Sequence, residues 1–143
     1  MSPWTALLQS LHSAMIDEIT DRHPEPKPEL GLPKRLNQFE FPSSSVTEVL
    51  WIDVSFGESK GAAFLAFHPP FLKSLDLDCQ ALWNAMLKRA GSEFARRNIR
   101  PIVGRLETIR ANSPTPENLA SLPRIVWIPI TLPTGECWFG IGA

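Results

Sequence analysis

Glu48-Val49-Leu50-Trp51-Ile52-Asp53-Val54-Ser55-Phe56 is followed at once by Gly57-Glu58-Ser59-Lys60-Gly61 and then by Ala62-Ala63-Phe64-Leu65-Ala66-Phe67-His68. In the first run Leu50, Ile52, Val54 and Phe56 fall on one side of an extended chain, and Asp53 and Ser55 on the other. That period of two predicts a strand. The stretch from Gly57 to Gly61 reads as a turn, so the flanking runs are expected to pair as an antiparallel hairpin. The face that carries Trp51 beside Asp53 is mixed, which predicts a sheet covered on one side only.

Downstream, Arg124 to Leu132 and Glu136 to Gly142 read as two more strands around Pro133-Thr134-Gly135, a second hairpin. Pro129 has no N–H to donate, so its strand should lie at an edge or carry a bulge. Ile99 to Ile109 fits either a helix or a strand; Val103, Pro101 and Gly104 favour the strand. Asn112 to Pro123 holds three prolines and is read as a loop.

Upstream, Trp4, Leu7, Leu8, Leu11, Met15 and Ile19 recur at three- and four-residue spacing, the stripe of an amphipathic helix from about Trp4 to Arg22. Ser2 can cap it, with Pro3 tolerated in the first turn. Pro24, Pro26 and Pro28 then impose an extended connector. After Pro69-Pro70, Phe71 to Leu75 suggests a short helical turn. Asp76 or Asp78 is positioned to cap a longer helix reaching about Asn98. At 100° per residue, Cys79, Trp83, Met86, Leu87, Ala90 and Phe94 share its core face and Lys88, Ser92 and Arg96 lie opposite. Ala81, Asn84, Gly91 and Ala95 run along one flank, where small side chains would let another backbone approach. Strands arriving as hairpins, with helices between them, define an α+β domain: an antiparallel sheet with an N-terminal helix and a long central helix packed on it.

The chain has 143 residues, which suits one domain, and its net charge is −1, which argues against nucleic-acid binding by excess positive charge. The charge is unevenly spread. Residues 1–80 carry 6 basic and 11 acidic side chains, a balance of −5, and the remainder carries 8 and 4, a balance of +4. Cys79 and Cys137 belong to no Cys-x-x-Cys pair and read as small buried hydrophobes. No apolar run approaches the ~18 residues of a membrane span, and the first fifteen residues carry no basic leader, so a cytoplasmic location without membrane insertion is expected.

Most catalytic patterns are missing. No glycine cluster makes a phosphate-cradling loop before a helix. His12, His23 and His68 lack metal-ligand spacing, so no metal is expected. His12 reads as a helix-surface residue, His23 as a cation at a helix end and His68 as a structural residue at a strand end. Lys88, Arg89, Arg96, Arg97, Arg100, Arg105 and Arg110 form one basic cluster. A solvated helix face accounts for such a run. The sharper reading is a docking surface for an acidic protein or a phosphate group, with Lys88, Arg89 and Arg96 as its partner-binding residues.

This order, with these residues, resembles the CheX branch of the CheC, CheX and FliM-like family of bacterial chemotaxis and flagellar proteins, over nearly all of residues 1–143. The stretches that carry it are Met15-Ile16-Asp17-Glu18-Ile19 at the end of the first helix, the hairpin from Val49 to Phe67, the long helix with Asn84 and Ala90-Gly91, and the closing strands Val126-Trp127-Ile128-Pro129-Ile130-Thr131-Leu132 and Trp138-Phe139-Gly140-Ile141. The resemblance implies a signalling protein that contacts a response regulator or a flagellar or motor partner. Family members can dimerise, so the resemblance allows a homodimer, and FliM-like members act as structural components without phosphatase activity.

The family's phosphatases carry Glu, two residues, then Asn on the long helix. The Asn orients a water for in-line attack on an aspartyl phosphate and the Glu contacts a regulator lysine, which suits a reaction governed by positioning and electrostatics. The magnesium belongs to the regulator, so no cofactor of this chain's own is implied. In one register Asn84 takes the amide position and Ala81 stands where the Glu belongs. In the other, Ala90-Gly91 aligns with the family's Ala-Gly, Asn84 takes the acid position and Leu87 falls on the Asn. Neither register keeps both groups. The resemblance therefore implies a degenerate phosphatase motif in which Asn84 is the candidate catalytic residue. Glu93 and Asn98 are no substitute, because a five-residue offset sets them about 140° apart around a helix.

Overall fold

The computed structural model describes residues 2–22, 27–67, 78–133 and 135–143; of Cys79 only the backbone is described. Helix α1 (Pro3–Arg22) is followed by the short strands β1 (Glu29–Leu30) and β2 (Lys34–Leu36). The hairpin β3 (Glu48–Phe56) and β4 (Ser59–Phe67) leads to helix α2 (Cys79–Arg96) and strand β5 (Ile102–Arg110). A short helix α3 (Glu117–Ala120) precedes the hairpin β6 (Ile125–Leu132) and β7 (Gly135–Gly142). One antiparallel sheet runs β1-β6-β7-β4-β3-β5, with β2 also pairing to β6. The α+β architecture read from the sequence is the one observed.

The helix ends follow their local chemistry. The amide of Thr5 donates to Ser2 Oγ at 3.1 Å, capping α1. The amide of Ala81 donates to Asp78 Oδ1 at 2.7 Å, so Asp78 is the cap of α2. That helix stops at Arg96, short of the expected Asn98. Asn98 takes a left-handed φ of 56°, the amide of Ile99 donates to the Phe94 carbonyl at 2.9 Å, and that of Asn98 to the Ala95 carbonyl at 3.2 Å. This pair of bonds closes a Schellman motif, for which asparagine is the best residue after glycine.

The first hairpin is tighter than expected. Phe56 pairs with Ser59, leaving only Gly57 and Glu58 in the loop, and Gly57 supplies the φ of 60° that a two-residue turn requires. Trp4 closes on this turn, its ring 5.0 Å from that of Phe56 and its Nε1 donating to Ser59 Oγ at 2.8 Å.

Both faces of the sheet are covered, which corrects the one-sided sheet inferred from the mixed Trp51 face. Leu50, Ile52 and Val54 of β3 pack with Leu65, Phe139 and Ile130 beneath Leu7, Leu11, Met15 and Ile19 of α1 and Leu82, Trp83 and Met86 of α2. On the far face Val49, Trp51, Phe64, Ile125 and Trp127 pack with Phe39, Val46, Leu119 and Leu122. Loop segments and one single-turn helix supply this second layer, and it has no periodicity to reveal it. The stretch read as a plain loop thus contains α3, whose Leu119 is fully buried. Burial of one such side chain contributes about 1.5–3 kcal/mol, enough to hold a single helical turn in place.

The connector likewise holds two strands that the sequence did not suggest. Glu29 and Leu30 pair with Thr131 and Ile130, and Lys34 to Leu36 with Trp127 to Ile125. Pro129 falls between the two ladders. The chain there crosses at Gly31, whose amide donates to the Pro129 carbonyl at 3.1 Å. A Cβ on Gly31 would sit 2.5 Å from Pro129 Cγ. The proline is therefore accommodated by a break in the edge pairing rather than by an open edge or a bulge.

His12 is half-buried, with Nε2 shielded and lacking a hydrogen-bond partner among the described residues, and not the surface residue its sequence position suggested. Cys137 is fully buried and free, as expected. The expectations for His23, His68, Pro69-Pro70 and the turn at Phe71 to Leu75 lie outside the described residues. Among the described residues no helix is long and apolar enough to cross a membrane.

Candidate functional site

Helices α1 and α2 lie against each other in opposite directions. Arg89 reaches Glu18 and Asp21 near the end of α1, while Arg97 Nη1 donates to Gln9 Oε1 near its start at 2.8 Å. One side of α2 is thereby committed to α1. The other side carries Asn84, Gly91 and Ala95, all exposed, and looks onto two adjoining clefts between α2 and β5. The first, of about 760 Å³, is walled by Gln80, Trp83 and Asn84 of α2 and floored by Ile52, Arg105 and Thr108. The second, of about 520 Å³, continues past Leu87 between Gly91 and Phe94 on one side and Arg100 and Val103 on the other. An ideal Cβ on Gly91 would meet nothing within 4 Å, so the small residues of this flank border open space and not a packed backbone.

The sequence-predicted residues separate. Asn84 is exposed at the wall of the first cleft, where its amide can meet a docked group. Ala81, three residues earlier, supplies no acid. Lys88 is exposed. Arg89 is engaged within the molecule: its Nε donates to Glu18 Oε1 at 2.9 Å and its Nη2 to Asp21 Oδ2 at 2.6 Å. The bond to Asp21, then that to Glu18, raises the Arg89 pKa above its ordinary value. Arg96 pairs with Glu93 one turn away at 2.5 Å, and this bond, together with the weaker contact to Arg97, lowers the Glu93 pKa. Glu93 therefore points its charge to Arg96 and Arg97 while Asn98 lines the second cleft; Asn98 lies beyond the helix end, so the angle expected for two residues on one helix does not apply.

Sequence reasoning did not single out Arg105 and Trp83 as site residues. Arg105 reaches the first cleft through an irregularity in the β3–β5 ladder that only the pairing reveals. Trp83 is 2% exposed, lines the same cleft and has an Nε1 without an acceptor among the described residues. Asp53, on the opposite face, is tied to α3: Asn118 Nδ2 donates to its Oδ1 at 3.0 Å, a structural bond. Among the described residues no three His, Cys, Asp or Glu side chains are grouped to hold a metal ion.

An antiparallel sheet with two antiparallel helices on one face is the architecture of the CheC, CheX and FliM-like proteins, and this chain has that fold. It is similar to a CheC-like superfamily protein from Shewanella sp. PV-4, with a TM-score of 0.72 at 9% identity, over 96% of each chain. It is similar to the chemotaxis protein CheX from Vibrio vulnificus, with a TM-score of 0.68 at 8% identity, over 94% of this chain and 97% of that one. CheX from Borrelia burgdorferi, solved as a complex with CheY, BeF3 and Mg, matches with a TM-score of 0.54 at 11% identity, over 94% and 95% of the two chains. FliM middle domains share the fold as well. No protein-family model and no curated protein sequence matches the chain.

Proposed function

We propose that residues 1–143 form a single CheX-like signalling domain that acts in the cytoplasm by contact with a response regulator, through the Asn84 flank of α2, and that its phosphatase motif is degenerate. The observation that carries this reading is the exposed Asn84 at the mouth of an open cleft, with Ala81 where a paired acid would stand. A relative of the same fold binds CheY. An amide alone can orient a water, but without the acid the partner's own groups are left unengaged.

The exposed amide equally favours a second reading, an active aspartyl-phosphate phosphatase that uses Asn84. The test is to incubate the protein with phosphorylated response regulators of its own genome and follow both complex formation and phosphate loss. Binding without acceleration is the expected result. Acceleration that Asn84→Ala abolishes would establish the phosphatase.

A third reading, a FliM-like structural component or homodimer, is favoured by strand β5, an outer strand of the sheet on which Ile102 is 68% and Val103 40% exposed. Unpaired strand edges of this kind support association with another chain. Sedimentation of the wild type against Val103→Lys tests it; a dimer dissociated by the added charge is the outcome this reading requires.

A further inference from the structure

Apart from the exposed Lys88, the cations of the basic cluster are of two kinds. Arg89, Arg96, Arg97 and Arg110 are ion-paired, with Glu18 and Asp21, with Glu93 and with Glu48. Arg100 and Arg105 have no ion pair or hydrogen bond among the described residues, and each lines one of the two clefts beside α2.

Arg105 owes its place to a bulge. Ile52 pairs with Leu106 and Val54 with Val103, so Gly104 and Arg105 together stand opposite Asp53 alone. In an unbroken ladder residue 105 would face Asp53 and share its side of the sheet, away from α2. The extra residue re-aims it into the cleft. Gly104 permits this, since a Cβ there would already lie 3.3 Å from Asp53 Cβ.

Around the first cleft the Arg105 guanidinium and the buried Trp83 indole N–H, which has no acceptor among the described residues, can only donate, and the amides of Asn84 and Gln80 and the Thr108 hydroxyl can each donate or accept. Among the described residues that line the cleft, Asp78 alone has a carboxylate, and it is occupied in capping α2. A cleft with two donor-only groups, an arginine and an indole N–H that have no partner among the described residues, and three further groups free to donate matches an oxyanion, and guanidinium suits phosphate best of all.

We propose that this cleft receives the phosphoryl oxyanion of the docked, phosphorylated response regulator and that Arg105 is its countercharge. The source of the anion rests on the reading of α2 as the docking helix; the anion site itself does not.

Two measurements separate them. First, inorganic phosphate is titrated into the ¹⁵N-labelled full chain. Saturable shifts of the Trp83 indole N–H and the Asn84 side-chain amide are expected, with affinity about tenfold weaker in Arg105→Ala and partly kept in Arg105→Lys. No saturable shift, or one indifferent to Arg105, overturns the site. Second, binding of response-regulator receiver domains is compared with and without beryllofluoride. A preference for the beryllofluoride form that falls about tenfold in Arg105→Ala, with binding of the unactivated form unchanged, supports the full proposal. Receiver binding with a preference that ignores Arg105 overturns the countercharge and keeps the docking reading. Phosphate binding through Arg105 without binding of any receiver overturns the docking reading and the assigned source, and leaves the anion site standing.

Discussion

Arg89 of α2 joins Glu18 of α1 at 2.9 Å, across the interface of the two helices. Glu18 is only 9% exposed, so its carboxylate is satisfied mainly by this arginine, with Arg22 farther off at 3.6 Å. A cation that the sequence places on a partner surface is thus engaged in holding the helix pair together.

Arg89→Ala should therefore destabilise the fold by about 1–2 kcal/mol, because it strips a nearly buried carboxylate of its best donor. Lys88→Ala, an exposed change one residue away, should stay within about 0.5 kcal/mol of wild type. Urea denaturation of both variants checks this, and equal midpoints would contradict the assignment.

Gly140 lies directly beneath the ring of Trp127. The two residues are cross-strand partners on β7 and β6, and a Cβ on Gly140 would come 2.7 Å from Trp127 Cε3. The indole is held from its far side by the Glu40 carbonyl, which accepts from Nε1 at 3.0 Å, so it cannot withdraw freely. Gly140→Ala is expected to cost about 1–3 kcal/mol through overpacking, measured as a fall in thermal midpoint. An unchanged midpoint would mean the ring moves more easily than this packing implies.

Ala81 occupies the third helical position after the Asp78 cap. Ala81→Glu would place an acid where a capping box and the helix dipole both favour one, and should stabilise the domain by about 0.5 kcal/mol. The same change restores the acid-x-x-Asn spacing with Asn84. If that register is the functional one, the variant should dephosphorylate a regulator faster than wild type does. Stabilisation without any gain in rate would rule out Asn84 as the amide of the motif.

Burial lowers the His12 pKa below its ordinary 6.5. The unfolded chain then binds more protons than the folded one between 6.5 and the lower native value. Stability should be unaffected by His12 above pH 6.5 and should decline as the pH falls through that window. His12→Leu should flatten the slope, which denaturation at a series of pH values between 4.5 and 7.5 would show. A slope unchanged by the substitution would assign the acid sensitivity to other groups.

Burial, reinforced by Glu136, pushes the Cys137 thiol well above its usual range. Native protein should leave Cys137 unmodified by iodoacetamide, whereas protein unfolded in urea should be alkylated there. Peptide mapping distinguishes the two states, and rapid native labelling at Cys137 would show that β7 opens readily.

Much of the fold was legible because its main elements are periodic. The alternation of Leu50, Ile52 and Val54, the stripe from Leu7 to Ile19 and the caps at Ser2 and Asp78 are local patterns, and local chemistry settles them. Asn84 could likewise be placed on a helix flank by counting residues. The layer of Phe39, Leu119 and Leu122 over the far face could not, since residues buried singly in loops and in one helical turn leave no period to read.

The sequence by itself determined the hairpins, the two amphipathic helices and the excess of cations in the C-terminal part. Only the tertiary structure decided which of those cations are spent. Arg89 was claimed by Glu18 and Asp21, 71 and 68 positions away, and Arg105 came to line the same cleft as Asn84 where one extra residue stands against Asp53. The reason is physical: charge and periodicity belong to residues along the chain, but ion pairing and cleft lining depend on which distant segments the sheet register and the helix packing bring together.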